Sequence, residues 1–396
     1  MKVGWEVSKF GDVCAIELGK TPSRADSSYW DVKKQTNNIW LSIADLLNTE
    51  NSVVSGSKEY LSDKGAKVSK KVAAGTLLVS FKLTLGRLAY TGCDLFTNEA
   101  IAALTIHNEK KLTKEFLYYF LMHFDWDKAC DGDVKVKGKT LNKAKLKEIA
   151  IFYPNYSEQQ RIVTILDEAF EQIAIARANT EKNLQNARAL FESHLQSVFS
   201  VRGEPVEPRR PSTSSGRAGE GWMEVKFEDC FRLKSGDGLT SNQMKEGGVY
   251  SVFGGNGIAG YYDKHNLSGE NVIIGRVGAL CGNVRHITES IWLTDNAFKI
   301  VDFKFEFDLA FLTYLLNFKN LRNFARQTAQ PVISNSSLKD VSLTFPKSIS
   351  KQSAIVTELN GLRVETQRLE SLYQRKLTAL DELKKSLLHK AFAGEL

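Results

Sequence analysis

"SEQQRIVTILDEAFEQIAIARANTEKNLQNARALFESHLQSVF", residues 157–199, decides how the rest of the chain is organised. Ile162, Leu166, Ala169, Ile173, Ala176, Leu184, Ala187, Phe191, Leu195 and Val198 advance mostly by three and four residues. This predicts a long helix with one apolar stripe, narrower than the face of a globular helix and closer to a coiled-coil seam. About 40 residues of such helix would run about 60 Å at 1.5 Å per residue. A seam of that kind must find a partner, and the chain carries one. In the last 49 residues Ile355, Leu359, Leu362, Leu369, Tyr373, Leu377, Leu380, Leu383 and Leu387 recur in the same rhythm.

The two helical stretches are copies. Ser157, Gln159, Ile162, Val163, Thr164 and Leu166 meet Ser350, Gln352, Ile355, Val356, Thr357 and Leu359 at a shift of 193. At the same shift Leu190, Ser193, Leu195 and Phe199 meet Leu383, Ser386, Leu388 and Phe392. The duplication extends upstream. "GWEVSKFGDVCAIELGK" (4–20) aligns with "GWMEVKFEDCFRLKSGD" (221–237), sharing Trp5/Trp222, Phe10/Phe227, Asp12/Asp229 and Gly19/Gly236. "FLYYFL" (116–121) then answers "FLTYLL" (311–316), and "LKEIAIFYP" (146–154) answers "LKDVSLTFP" (338–346). A period near 200 residues means two duplicated domains, not a solenoid of short repeats. Each module reads as mixed α/β: β-prone runs such as "GTLLVSF" and "NVIIGRVG" lie between turn signals, with one helix apiece over 114–126 and 307–322. Between the first long helix and the second module, residues 201–221 hold three of the seven prolines with Ser, Gly and Arg, the composition of a flexible linker.

Composition bounds what such a chain does. At 396 residues there is room for two to three domains, and 42% hydrophobic with 25% charged residues is ordinary for a globular protein. Five single cysteines without framework spacing read as reduced thiols, and no apolar run suggests a membrane span or an export signal, so a cytoplasmic location is expected. Net charge is +7; residues 1–156 carry 23 Lys+Arg against 18 Asp+Glu, while residues 222–346 balance at 13 and 13. The sharpest basic stretch, "DVKVKGKTLNKAKLKEI", suits a polyanion or a solvated edge equally well.

Catalytic motifs are missing. Both Gly-Lys-Thr tripeptides, at Gly19 and Gly138, lack the glycine a phosphate-binding loop needs, with Cys14 and Asp133 in its place. The six histidines have no metal-ligand spacing. Asp133-Val134-Lys135 matches only the tail of a nuclease motif. One glycine motif remains, G-x-G-x-x-G at Gly255, Gly257 and Gly260. A dinucleotide cradle there would have to open a helix, yet "YYDKHNLSGENVIIGR" follows, without a 3.6-residue period. A strand and a tight turn are expected instead, and no cofactor.

These residues together resemble a family, the specificity (S) subunits of type I restriction–modification systems. The 157–199 stretch resembles their central helical region. "GKTPSR" (19–24) resembles their Gly-Thr-Pro-Ser-Arg loop, with Lys20 in place of a second glycine. Tyr250, Val252, Phe253, Gly254, Asn256, Gly257, Ile258, Gly260 and Tyr261 match a turn of these subunits, and "GRVGALCGNV" (275–284) fits as well. The linker is longer than the family pattern.

The resemblance implies a non-catalytic protein of α+β class: two pseudo-repeated mixed α/β target-recognition domains joined by two long antiparallel coiled-coil helices. The expected divisions are 1–155 and 222–347 for the domains, 156–200 and 348–396 for the helices, and 201–221 for the linker. It implies double-stranded DNA as ligand, two modification (methyltransferase) subunits docked on the helices, and restriction (motor/nuclease) subunits joining them. S-adenosylmethionine and ATP would belong to those partners. Two modules on one face of B-DNA would read segments about one helical turn, roughly 34 Å, apart. Base discrimination needs Arg, Lys, Asn or Gln side chains at groove edges. The candidates are Ser23, Arg24, Lys135, Lys137 and Lys139 in the first module, and Asn256, Gly257, Arg276, Arg322, Arg326, Gln327 and Gln330 in the second. The expected helix and subunit interface comprises Ile162, Leu166, Ile173, Leu184, Phe191, Leu359, Leu362, Leu369, Leu380, Leu383 and Leu387. Two other classes are open: a coiled-coil adaptor that does not recognise DNA, and a nucleotide-dependent enzyme built on the Gly255 loop.

Overall fold

The computed structural model describes residues 4–47, 52–130, 134–135, 138–139, 141–200, 221–326 and 331–396; of residues 47, 134–135 and 138–139 it describes the backbone alone. The chain divides into two units, the first running to Asn179 and including Lys376–Leu396, the second spanning Thr180–Arg375. Each carries one of the two repeated modules with parts of both long helices.

In the first unit the strand Glu6–Lys9 pairs antiparallel with Ala150–Tyr153, the segment that leads into the long helix. The main sheet has the order Cys14–Leu18, Ile101–Ile106, Leu77–Ser80, Leu88–Thr91 and Val53–Val54. A second sheet carries Ile39–Leu41 parallel to Leu95–Thr97, with Trp40 opposite Phe96. Helix Lys114–His123 starts where Thr113 accepts a hydrogen bond from the Phe116 amide, and it buries Phe116, Leu117, Phe120 and Leu121 against Phe10, Val79 and Leu104. It ends three residues short of the expected 126, because Phe124 turns extended and Asp125 caps a separate turn, Trp126–Ala129.

The second unit repeats this plan. Trp222–Lys226 pairs with Ser342–Pro346. The main sheet runs Arg232–Ser235, Ala297–Val301, Asn271–Gly275, Val284–Ile287, all antiparallel. Tyr250–Gly254 lies parallel to Trp292–Leu293, as Ile39–Leu41 does to its partner. Asp308 caps the helix Leu309–Phe318, which is followed by a turn of 3-10 helix, Leu321–Phe324.

The two long helices, Tyr156–Ser200 and Ile349–Ala393, have 45 residues each. Their antiparallel sense is evident within each unit. In the first, Arg161 donates to the Leu396 carbonyl at 2.7 Å and Arg177 pairs with Asp381 at 2.5 Å. In the second, Arg188 stands 3.7 Å from Glu370, and His194 stands 3.0 Å from Glu358.

A buried glutamine joins each helix to its module. Gln159 donates to the carbonyls of Lys111 (2.7 Å) and Pro154 (2.8 Å) and accepts from the Thr113 amide (2.9 Å). Gln352 does the same with Glu306, Pro346 and the Asp308 amide. Both are fully buried, and both satisfy the backbone at a helix start that apolar packing alone would leave unpaired. About two turns on, Tyr119 donates to Asp167 at 2.5 Å and Tyr314 to Asn360 at 2.7 Å, again at equivalent positions. The core stripe carries Ile162, Leu166, Leu184 and Leu359 buried, with Ile173, Phe191, Leu362, Leu369, Leu380 and Leu387 half-buried. Leu383 stands outside the helix seam in which its spacing places it. It is 47% exposed, because the buried positions step from Leu377 to the half-buried Lys384, then to Leu388 and Ala391. Lys384 lays its stem inward with its ammonium 4.7 Å from the Phe170 ring, and burial holds its pKa below the usual lysine range.

Candidate nucleic-acid interface

In each module a glycine at the end of the first main-sheet strand brings the next loop against the parallel strand pair. A Cβ on Gly19 would sit 2.2 Å from the Thr97 carbonyl oxygen, and one on Gly236 would sit 2.1 Å from that of Leu293. No other residue fits. An indole then holds each loop: Trp40 donates to the Lys20 carbonyl (3.4 Å), and Trp292 donates to the equivalent Asp237 carbonyl (3.3 Å).

The first-module loop carries Ser23 and Arg24, both exposed. The Ser23 carbonyl accepts from the Trp30 indole at 3.1 Å. Arg24 stacks its guanidinium 4.0 Å from the Trp30 ring centre and 4.7 Å from that of Trp40, and it forms a two-point pair with Glu59. That hydrogen-bonded pair raises the arginine pKa further. Arg24 is therefore an oriented planar fork, not a loose cation. Val134–Lys135 and Gly138–Lys139 form a short hairpin of which only the backbone is described; Lys137 lies outside the described residues.

The glycine motif of the second module is a hairpin. Tyr250–Gly254 pairs with Gly257–Tyr262 across a two-residue turn, with a bulge at Val252/Phe253. A strand follows the motif, not a helix, so the amide-lined cradle that a dinucleotide needs does not form there. Each glycine has a separate reason. Gly257 takes φ 106°, with the Arg285 Nη2 only 3.0 Å from where its Cβ would stand. Gly255 lets the Val277 carbonyl pass, and Gly260 lies against Met244.

The described second-module candidates lie in this hairpin, in the loop after Gly275 and over residues 322–326. Asn256 accepts from the Leu280 amide at 2.9 Å. Arg276 donates to the Asp295 carbonyl at 3.3 Å and lies 5.3 Å from the Phe298 ring centre, and its carbonyl accepts from Ile333. The Arg322 backbone abuts Gly282, and Arg326 bonds Val332 through its amide. Gln327 and Gln330 lie outside the described residues, as does the linker from 201 to 220. Arg285 reaches the turn from a neighbouring strand, its guanidinium beside Gly257. Sequence reasoning missed it, and its only signal was alternation along "NVRHI".

The loop after Gly275 has a counterpart in the first module, bond for bond. Gly275 donates to the Asn283 carbonyl, Gly282 to Gly275, and Ile333 to Arg276. Ser80 donates to Arg87, Gly86 to Ser80, and Leu141 to Phe81. Gly282 and Gly86 both take positive φ, 85° and 73°. By these bonds the buried Phe81 stands where Arg276 stands in the other copy, with Lys82 next to it, and Arg87 stands where Asn283 does. Leu141 follows the lysine-rich hairpin as Ile333 follows Arg326, so both basic stretches lead into equivalent places.

No group of three or more His, Cys, Asp or Glu residues among the described residues is placed to hold a metal ion, and no described helix is long and apolar enough to cross a membrane. No disulfide links any of the five cysteines. Burial pushes the Cys14 and Cys230 thiols up to about 12, the state of inert core filler.

The family model "Type I restriction modification DNA specificity domain" matches the chain twice, over residues 2–186 and 219–374. The chain belongs to that family. It is 23% identical over 390 residues to the EcoprrI type I restriction enzyme specificity subunit of Escherichia coli, covering 93% of this chain and 91% of that one. It is 25% identical over 250 residues to the MjaIX specificity subunit of Methanocaldococcus jannaschii, covering 61% and 54%. Among solved structures, a chain from work on complex assembly and conformational transition of the type I R-M system shares the fold at TM-score 0.76, with 17% identity and coverage of 100% and 99%. The HsdS subunit from Thermoanaerobacter tengcongensis shares it at TM-score 0.61, with 16% identity and coverage of 100% and 98%. The specificity family supplies DNA recognition and docking to these systems, not their catalysis. That role accounts for a chain with two repeated modules and long helices.

Proposed function

We propose that residues 1–155 and 222–347 are two target-recognition domains, each reading one half of a bipartite, asymmetric site in double-stranded DNA. Residues 156–200 and 348–396 act as the spacer and docking helices, and the 201–221 linker joins the halves. The observation that carries this reading is a repeated scaffold under unlike surfaces. The glutamine anchors and the tyrosine bonds to the helices recur position for position. Above them one module presents Arg24 stacked on two tryptophans, and the other presents a glycine hairpin with Asn256 in its turn and Arg285 beside it. Unlike surfaces on a common frame suit two different half-sites. Ser23, Arg24 and the Lys135–Lys139 stretch would serve one, and Asn256, Gly257, Arg276 and Arg322 to Gln330 the other.

Docking has a repeated feature of its own. Leu190 and Leu383 are equivalent residues of the two helices, and they stand 46% and 47% exposed. Two equal outward leucines support two equal attachments, and hence two modification subunits, which restriction subunits would then join in the cytoplasm. Expression of the chain with its modification subunits, followed by mapping of methylated bases in the host genome, tests the function. One non-palindromic, two-part motif that disappears without this chain is expected. Normal assembly with no chain-dependent motif would favour the adaptor reading.

A further inference from the structure

The paired loops 81–87 and 276–283 share one more feature that neither charge nor packing explains. Each holds an exposed leucine near its tip: Leu83 at 57% and Leu280 at 45%. A single exposed leucine is ordinary on a protein surface. Two in loops closed by the same backbone bonds are less so, at different positions within them: Leu83 lies three residues before Gly86, and Leu280 two before Gly282. Leu83 is also left-handed, at φ 63°, a conformation that glycine takes freely and leucine does not. The loop is braced around it, with Ser80 Oγ donating to the Thr84 carbonyl (2.5 Å) and accepting from the Arg87 amide (2.9 Å). Leu280 is braced through its own amide by Asn256. Cations lie close along the chain: Lys82 and Arg87 within four residues of Leu83, Arg276 four residues before Leu280, with the Arg322 backbone against Gly282. An apolar side chain held outward in a loop that carries cations matches a DNA surface where phosphates flank apolar base edges and faces.

We propose that Leu83 and Leu280 are specificity-determining residues that press their side chains against the apolar surface of the bases, one in each half-site. The neighbouring Lys82, Arg87, Arg276 and Arg322 hold the phosphates or groove edges on either side. The proposal deepens the DNA-reading function above and rests on it. Leu83 and Leu280 would add discrimination without adding charge, so their contribution is independent of salt.

The test uses the full chain assembled with its modification subunits, on DNA carrying the motif found by methylation mapping and on a scrambled duplex. Leu83→Gly and Leu280→Gly are each expected to lower affinity for the motif about tenfold, with an unchanged salt slope. Leu83→Gly should melt no lower than wild type, since glycine accepts φ 63° without strain. Replacing thymine by uracil in the affected half identifies a methyl contact if it reproduces the loss in wild type and adds nothing in the variant. Brightening of 2-aminopurine at one step, lost in the variant, identifies contact with a base face instead. The proposal is overturned if both variants bind the motif as wild type does, or if affinity for both duplexes falls together with a shallower salt slope. A wild-type complex that does not distinguish the two duplexes would overturn the DNA-reading function itself.

Discussion

Gly257 is the residue on which the two readings of the glycine motif part. Its φ of 106° and the Arg285 guanidinium 3.0 Å from its would-be Cβ leave no room for a β-branched side chain. Gly257→Val should therefore reshape the hairpin turn and displace Arg285, lowering affinity for the cognate site roughly tenfold or more. Non-specific binding through phosphates, read by its salt dependence, should persist, because the other cations are untouched. Calorimetry with NAD should show no binding in wild type; binding that the variant abolishes would sink this account of the loop. The turn itself was legible in the sequence, since no helical period follows Gly260. The separate duty of each glycine was not, because Val277, Met244 and Arg285 come to them from strands and loops distant in sequence. Arg24 was legible as a cation at a loop, but not as one clamped by Glu59 and stacked on Trp30 and Trp40.

Among the elements, the long helices were the most legible part of the fold, because a three-and-four rhythm over more than 40 residues has few other outcomes. What fixes them to the modules was visible only as a repeated letter. Gln159 and Gln352 recur at the shift of 193, and a buried glutamine has no meaning until its partners are known. Gln159→Leu keeps the volume roughly constant but strips the Lys111 and Pro154 carbonyls and the Thr113 amide of their partner. A loss of about 3 kcal/mol is expected from urea denaturation, and Gln352→Leu should cost a similar amount in the second unit. A change below about 0.5 kcal/mol in both would mean that the bonds are incidental. Leu383 shows the limit of periodicity. A step of three from Leu380 and a step of four to Lys384 look alike on paper, and apolar character favours the wrong one. The helix twist instead turns Lys384 inward, where its stem covers Phe170, and leaves Leu383 facing outward.

For the whole molecule, duplication is the fact from which function follows. Anchors and sheet order were inherited in both copies, whereas the loops above them diverged, and a protein that reads two unlike sequences needs that division. The central claim is that each module reads its half independently. Replacing residues 222–347 with the corresponding module of a relative leaves the Gln352 anchor and both helices in place. The exchanged chain is co-expressed with the modification subunits, and the methylated bases are mapped across the genome. The account predicts that one half of the two-part motif changes while the other half and the spacing between them stay as they were. A motif altered in both halves, or left wholly unchanged, would contradict it.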